Sequence, residues 1–152
     1  MKVQTERFGE LEVANNRIIT FQRGIPGFEE FKQYALIPAD AQKDTPFFFL
    51  QSIEEGAISF FLVDPFAFFG EYDVKLEEQA VERLKLVNPS DAIVLTTVTV
   101  QDEMKDATTN LKAPLIINNK KQQGMQVVLN NKDYQIKQPL FQPEPKAALR
   151  QV

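Results

Sequence analysis

The sequence predicts a mostly β fold, a single compact antiparallel β-barrel-like domain with one or two short helices. Three observations carry this. Nine short runs rich in β-branched and aromatic residues follow one another along 152 residues. Gly, Pro, Asn or Asp stand between many of them, and only one stretch has convincing helical periodicity. A chain of this length suits one domain and buries roughly two-thirds of the surface its unfolded form exposes.

The runs are, in order, KVQTERF, RIITF, YALIP, FFFLQSI, AISFFLV, AIVLTTVTV, APLIIN, MQVVLN and YQIK. Alternation within FFFLQSI sends Phe47 and Phe49 to one side of a strand and Phe48 to the other. In AIVLTTVTV, Thr97 and Thr99 alternate with Val98 and Val100, so one face is wetter, while the start is apolar on both sides. Asn130, Asn131, Lys132 and Asp133 separate the last two runs, which reads as a hairpin. The helix is expected in KLEEQAVERLKLV, where Leu76, Ala80, Leu84 and Val87 fall near one face and Asn88-Pro89 ends it. FEEFKQY after Gly27 offers a second, shorter helical turn with Phe28 and Phe31 inward. One domain is therefore expected over residues 1–138, followed by a Pro-rich tail over 139–152.

Composition narrows the function. Cysteine and histidine are both absent. That removes disulfides, thiol nucleophiles, the commonest general base and the commonest transition-metal ligand. None of the three serines, Ser52, Ser59 and Ser90, sits in a GxSxG elbow, and phosphate-binding glycine loops are missing. No catalytic, cofactor-binding or metal-ligating residues are assigned, and the chain is expected not to be an enzyme. The N-terminus has no apolar leader core, and no run approaches the ~18 apolar residues of a membrane span. A reducing cytoplasm is the expected location.

Charge is distributed unevenly. Residues 54–91 carry nine acids against three bases, whereas residues 92–152 carry five acids and eight bases. An acidic middle repels a phosphate backbone, so direct nucleic-acid binding is not expected, and a basic protein partner fits it better. Its candidate contacts are Glu71, Asp73, Glu77, Glu78 and Glu82; for Glu77, Glu78 and Glu82 the alternative is the solvated face of a helix.

Two stretches are unusual. In FQRGIPGFEEF, Pro26 fixes its own φ and Gly27 can take the positive φ of a type II turn, so Gly24, Pro26, Gly27 and Phe28 form a rigid corner. It reads as a turn leaving a strand or as a preformed loop that meets a partner. In DPFAFFGEYDV, Phe66, Phe68, Phe69 and Tyr72 follow Asp64-Pro65, where the preceding strand should have stopped. Either these rings fold back as a lid on a barrel end, or some form an apolar docking patch rimmed by Asp64, Glu71 and Asp73.

Together these residues resemble the FliW family of flagellar assembly factors. The resemblance rests on Gly24-Ile25-Pro26-Gly27-Phe28-Glu29, on Phe49-Leu50-Gln51-Ser52, and on Asp64-Pro65 with Glu71-Tyr72. It continues through Leu111-Lys112-Ala113-Pro114-Leu115-Ile116-Ile117-Asn118 and from Gln126-Val127-Val128-Leu129 to Tyr134, spanning about residues 3 to 138. It implies a cytoplasmic, non-enzymatic protein with two partners. One is flagellin, held before export. The other is CsrA, a small basic RNA-binding repressor of flagellin translation, which such a protein binds and relieves until flagellin draws it away. Phe66, Phe68, Phe69 and Tyr72 are then candidates for flagellin, and the five acids for CsrA. Two rival classes are a small-molecule-binding β-barrel without protein partners, its aromatics lining a pocket, and an enzyme using carboxylates alone, such as Glu54-Glu55 or Glu77-Glu78.

Overall fold

A computed structural model of the chain describes residues 1–141, and the last eleven lie outside the described residues. An N-terminal hairpin, β1 (Lys2–Thr5) and β2 (Gly9–Glu12), precedes the barrel strands β3 (Ile18–Thr20), β4 (Gln33–Pro38), β5 (Phe47–Ser52) and β6 (Ser59–Val63). After a helix, α1 (Glu78–Arg83), come β7 (Ala92–Thr99), β8 (Thr108–Thr109), β9 (Leu115–Asn118), β10 (Gln123–Gln126) and β11 (Gln138–Pro139).

Seven strands close in the order β7-β6-β5-β4-β3-β10-β9, with β9 returning to β7. Neighbours are antiparallel except β3 and β10, which meet in parallel at Thr20 and Gln123. Closure depends on the length of β7. Its first half pairs with β9 and its end with β8, while β6 lies along the other edge.

Period-2 alternation fills the barrel. Leu50, Leu62, Leu95, Leu115 and Ile117 point inward around Phe21 and Tyr34, with Phe48 and Phe60 against them. The Tyr34 hydroxyl donates to the Phe31 carbonyl, and burial, with Glu54 adding to it, pushes its pKa up to about 12. The β1–β2 hairpin lies on the outside, where Val3, Leu11 and Val13 cover Ala35, Ile18 and Ile53.

Eight of the nine expected strands appear with several boundaries moved, whereas YQIK at 134–137 forms no strand, because Leu111 N–H bonds to the Gln135 carbonyl in place of a hairpin ladder. FEEFKQY is not helical. Successive turns bring Phe28 N–H to the Ile25 carbonyl and Phe31 N–H to the Phe28 carbonyl, after which β4 begins at Gln33. The strand wins because Tyr34 through Pro38 pair residue by residue with β5. Phe28 stays exposed, edge-on to Phe60, whereas Phe31 is half-buried.

The helix expected over KLEEQAVERLKLV is shorter than its periodicity. α1 covers Glu78–Arg83, and Lys85 adopts a φ of 56° that a helix cannot continue. Ala80 and Leu84 are buried as expected, but Val87 is 80% exposed.

The hairpin expected around Asn130–Asp133 does not form. Val127 and Leu129 donate to the carbonyls of Pro114 and Lys112, and Leu111 donates to the Gln135 carbonyl, so residues 127–135 arch over residues 111–114 instead of pairing with each other. The boundary expected after residue 138 falls inside β11. Pro139 pairs with Thr108, and Leu140 is buried beside Val63, Val98 and Ala107.

Candidate functional site: the aromatic turn and its acidic surroundings

The structure divides the aromatic stretch that the sequence presents as one patch. Asp64 accepts the Phe66 N–H at 3.0 Å and starts a 3-10 turn, Pro65–Ala67, in which Pro65 supplies the fixed φ of a first helical position. Phe66 leaves this turn on one side, 45% exposed, with its ring 5.6 Å from that of Tyr72. Phe68 leaves on the other side and packs on Phe47 and Phe141. Phe69 is half-buried between two core clusters.

Tyr72 is buried. Its hydroxyl donates to the Leu111 carbonyl at 2.8 Å, and its ring stands edge-on to Tyr134 at 4.8 Å. Burial, with Tyr134 adding to it, raises its pKa above the ordinary phenol value. Tyr134 in turn accepts the Asp73 N–H at 2.9 Å. These two tyrosines tie residues 72 and 73 to Leu111 and Tyr134.

Phe66 lines an open apolar groove of about 590 Å³, together with Val74, Leu76, Val81, Leu86 and the acidic Asp73. Leu76 and Asp73 also line a second depression on the far side of the same segment, toward Val128 and Asn131, where Glu77 joins them. Glu71, Asp73, Glu77, Glu78 and Glu82 are all exposed, with the exposed Lys75 among them. Glu78 lies in the first turn of α1, where a carboxylate is favoured by the unpaired N–H groups.

One residue not singled out from sequence holds this region together. Asn118, at the end of β9, is buried and donates to the carbonyls of Leu84 at 2.8 Å and Lys85 at 3.2 Å. Its oxygen accepts from Lys120 and Lys121 N–H groups. It therefore closes the C-terminal end of α1 from across the fold. Nothing local in APLIIN announces that role.

The GIPG corner lies apart from the groove's walls. Gly27 has a φ of 92° and Phe28 N–H reaches the Ile25 carbonyl at 2.7 Å, the geometry of a type II turn with Pro26 leading it. Backbone N–H groups of Glu29 and Gly27 hold the Glu29 carboxyl below its usual range, with Lys32 adding to the effect. Among the described residues, no helix is long and apolar enough to cross a membrane.

Comparison with known proteins supplies the family. The family model described as FliW protein matches residues 2–140. A flagellar assembly factor FliW of Geobacillus kaustophilus is 40% identical over 147 residues, covering 97% of this chain and 99% of its own. One from Clostridium botulinum is 44% identical over 134 residues, covering 88% and 94%. The crystal structure of a flagellar assembly factor FliW superposes with a TM-score of 0.88 at 36% identity, covering 95% of this chain and all of that one. With sequence and barrel matched over nearly their full lengths, this chain belongs to the FliW family of flagellar assembly factors.

Proposed function

We propose that this chain is a cytoplasmic partner-switching regulator and not an enzyme. It binds flagellin before export and, alternatively, the translational repressor CsrA, and binding CsrA relieves repression of flagellin mRNA translation. The observation that carries the reading is Phe66, a large exposed ring lining an apolar groove that the acidic Asp73 also lines. An apolar anchor beside carboxylates suits one partner that buries hydrophobic side chains and another that is basic. The small-molecule reading gains no such support, because Phe21, Tyr34, Leu50 and Leu62 fill the barrel.

The test is to titrate flagellin and CsrA separately and then together. Each should weaken the other's binding by the same factor, since coupling free energy is reciprocal. Two unchanged affinities in the mixture would reject the switch.

Phe66→Ser should weaken flagellin binding by roughly 30-fold, the equivalent of an interface anchor of about 2 kcal/mol. Its melting temperature should stay near wild type, because the ring is already exposed. Phe68 and Phe69 are poorer probes, since both are packed against buried neighbours and their loss would unsettle the fold itself.

The acidic residues should act mainly on the rate of CsrA association, because complementary charge steers encounter. Reversing Glu77, Glu78 and Glu82 to Lys should slow association roughly tenfold or more at low salt and flatten its salt dependence. The same rate and salt slope as wild type would leave these carboxylates a role in solubility alone.

A further inference from the structure

Along its edge away from β9, β10 is largely open: it meets β3 only where Gln123 faces Thr20. On the β9 side its ladder runs on past the end of the strand in the same register. Gln126 faces Leu115, Val127 N–H donates to the Pro114 carbonyl at 3.0 Å, and Leu129 N–H donates to the Lys112 carbonyl at 2.8 Å. The return bonds cannot form, because Pro114 has no N–H and the Lys112 N–H is taken by the Asn110 side chain. Residues 127–130 are therefore extended backbone, and alternation turns the N–H and C=O groups of Val128 and Asn130 the other way. Among the described residues those groups have no partner. They border a depression of about 480 Å³ that Lys75 and Leu76 also line, from a second segment, residues 74–76, which is neither helix nor strand. That segment is held before its start by the Asp73 N–H on the Tyr134 hydroxyl, and its own backbone groups are likewise unpaired among the described residues. Leu76 and Val127 give the depression apolar surface, and its acids, Asp73 and Glu77, outnumber Lys75.

We propose that the Val128–Asn130 edge accepts an extended, basic segment of a partner protein as an added strand. Unpaired N–H and C=O groups at every second residue are complementary to a strand, whereas a helix satisfies its own backbone internally and leaves such an edge unpaired. Successive side chains of an added strand point to opposite sides, so a segment that alternates apolar with Lys or Arg residues meets Leu76 with one set and the carboxylates of Asp73 and Glu77 with the other. The same carboxylates disfavour a second copy of this chain as the occupant, because edge-to-edge pairing would bring the acids of both copies together. The proposal does not depend on which protein supplies the segment, so failure of the partner switch leaves it standing.

The probe is a peptide of alternating valine and lysine, with a valine–glutamate peptide as its control, titrated into the full chain and into Val128→Pro. That substitution removes an N–H that has no partner in the free chain, and the extended conformation required before a proline is the one Val127 already has. Binding of the lysine peptide should slow hydrogen exchange at the Val128 and Asn130 amides roughly tenfold or more, while the Val127 and Leu129 amides, already bonded, stay as they are. Val128→Pro should melt near wild type and bind the lysine peptide roughly tenfold more weakly. The glutamate peptide should bind wild type roughly tenfold more weakly than the lysine peptide, a difference that shrinks as salt is raised. If Val128→Pro does not fold, exchange at the two amides decides. Absence of binding by the lysine peptide, binding that leaves both amides exchanging as before, or wild-type affinity in a folded Val128→Pro each overturns the proposal. So does equal affinity for the two peptides, which removes the basic requirement. Slow exchange at both amides in the free chain overturns it as well, because the edge is then filled by the chain itself or by a second copy.

Discussion

Gly24→Ala is expected to destabilise the chain by about 3 kcal/mol, combining about 1–2 for a left-handed side-chain-bearing residue with about 1–3 for overpacking. Gly24 has a φ of 71°, and a Cβ there would stand 2.5 Å from the Cα of Glu29 and 2.6 Å from its carbonyl oxygen. Both neighbours are backbone, so the whole 24–29 corner must shift. Gly27→Ala provides the internal comparison. Its φ of 92° is equally unsuited to alanine, but a Cβ there meets nothing within 4 Å, so only the backbone term, about 1–2 kcal/mol, applies. Urea midpoints of the two variants at unchanged slope measure the difference. Equal losses at both positions would mean that the close approach at Gly24 is relieved without cost. The corner is then a structural element first: Phe28, which it presents, packs edge-on against Phe60 of β6 while remaining 38% exposed.

Asn118→Ala is expected to cost about 2–4 kcal/mol and to loosen α1 before the rest of the barrel. The substitution removes both donated bonds to the Leu84 and Lys85 carbonyls and both accepted bonds from Lys120 and Lys121. Leaving buried polar groups without partners costs about 1–3 kcal/mol each, more than the net gain from making such bonds. Hydrogen exchange should rise selectively at the amides of Leu84 and Leu86, which bond to Ala80 and Val81 within this turn. The groove should respond too, because Val81, Leu86 and Val87 line it and α1 carries Val81. Protection unchanged at α1, with exchange instead raised uniformly through the barrel, would show that Asn118 supports the sheet and not the helix end.

The two variants probe the opposite kinds of information in this chain. Gly24-Ile25-Pro26-Gly27 can be read as a turn because its constraints are local: a proline's ring and a glycine's missing Cβ act within four residues. Asn118 cannot be read in the same way. Its partners lie 33 and 34 residues earlier in the chain, and an asparagine ending a strand has the same local chemistry whether or not a helix end waits opposite. The failed helix over FEEFKQY and the missing hairpin at Asn130–Asp133 have the same origin. Local preference is worth tenths of a kcal/mol per residue, and ladder pairing with β5, or hydrogen bonding to residues 111–114, exceeds it.

A mostly β domain, the positions of most of its strands, the lack of cysteine and histidine chemistry and an acidic middle over residues 54–91 are all legible in the residues. Period-2 alternation also placed Phe47 and Phe49 on the face opposite Phe48, because side chains on a strand alternate regardless of what the strand pairs with. Long-range packing sets the rest: β9 returns to β7 and closes the barrel, Tyr72 is buried while Phe66 is exposed, and Phe68 packs on Phe47 of β5, which stacks on Phe61 of β6. Past Pro65 the chain leaves regular strand geometry, alternation no longer dictates direction, and each ring turns toward whichever surface the assembled sheet brings within reach.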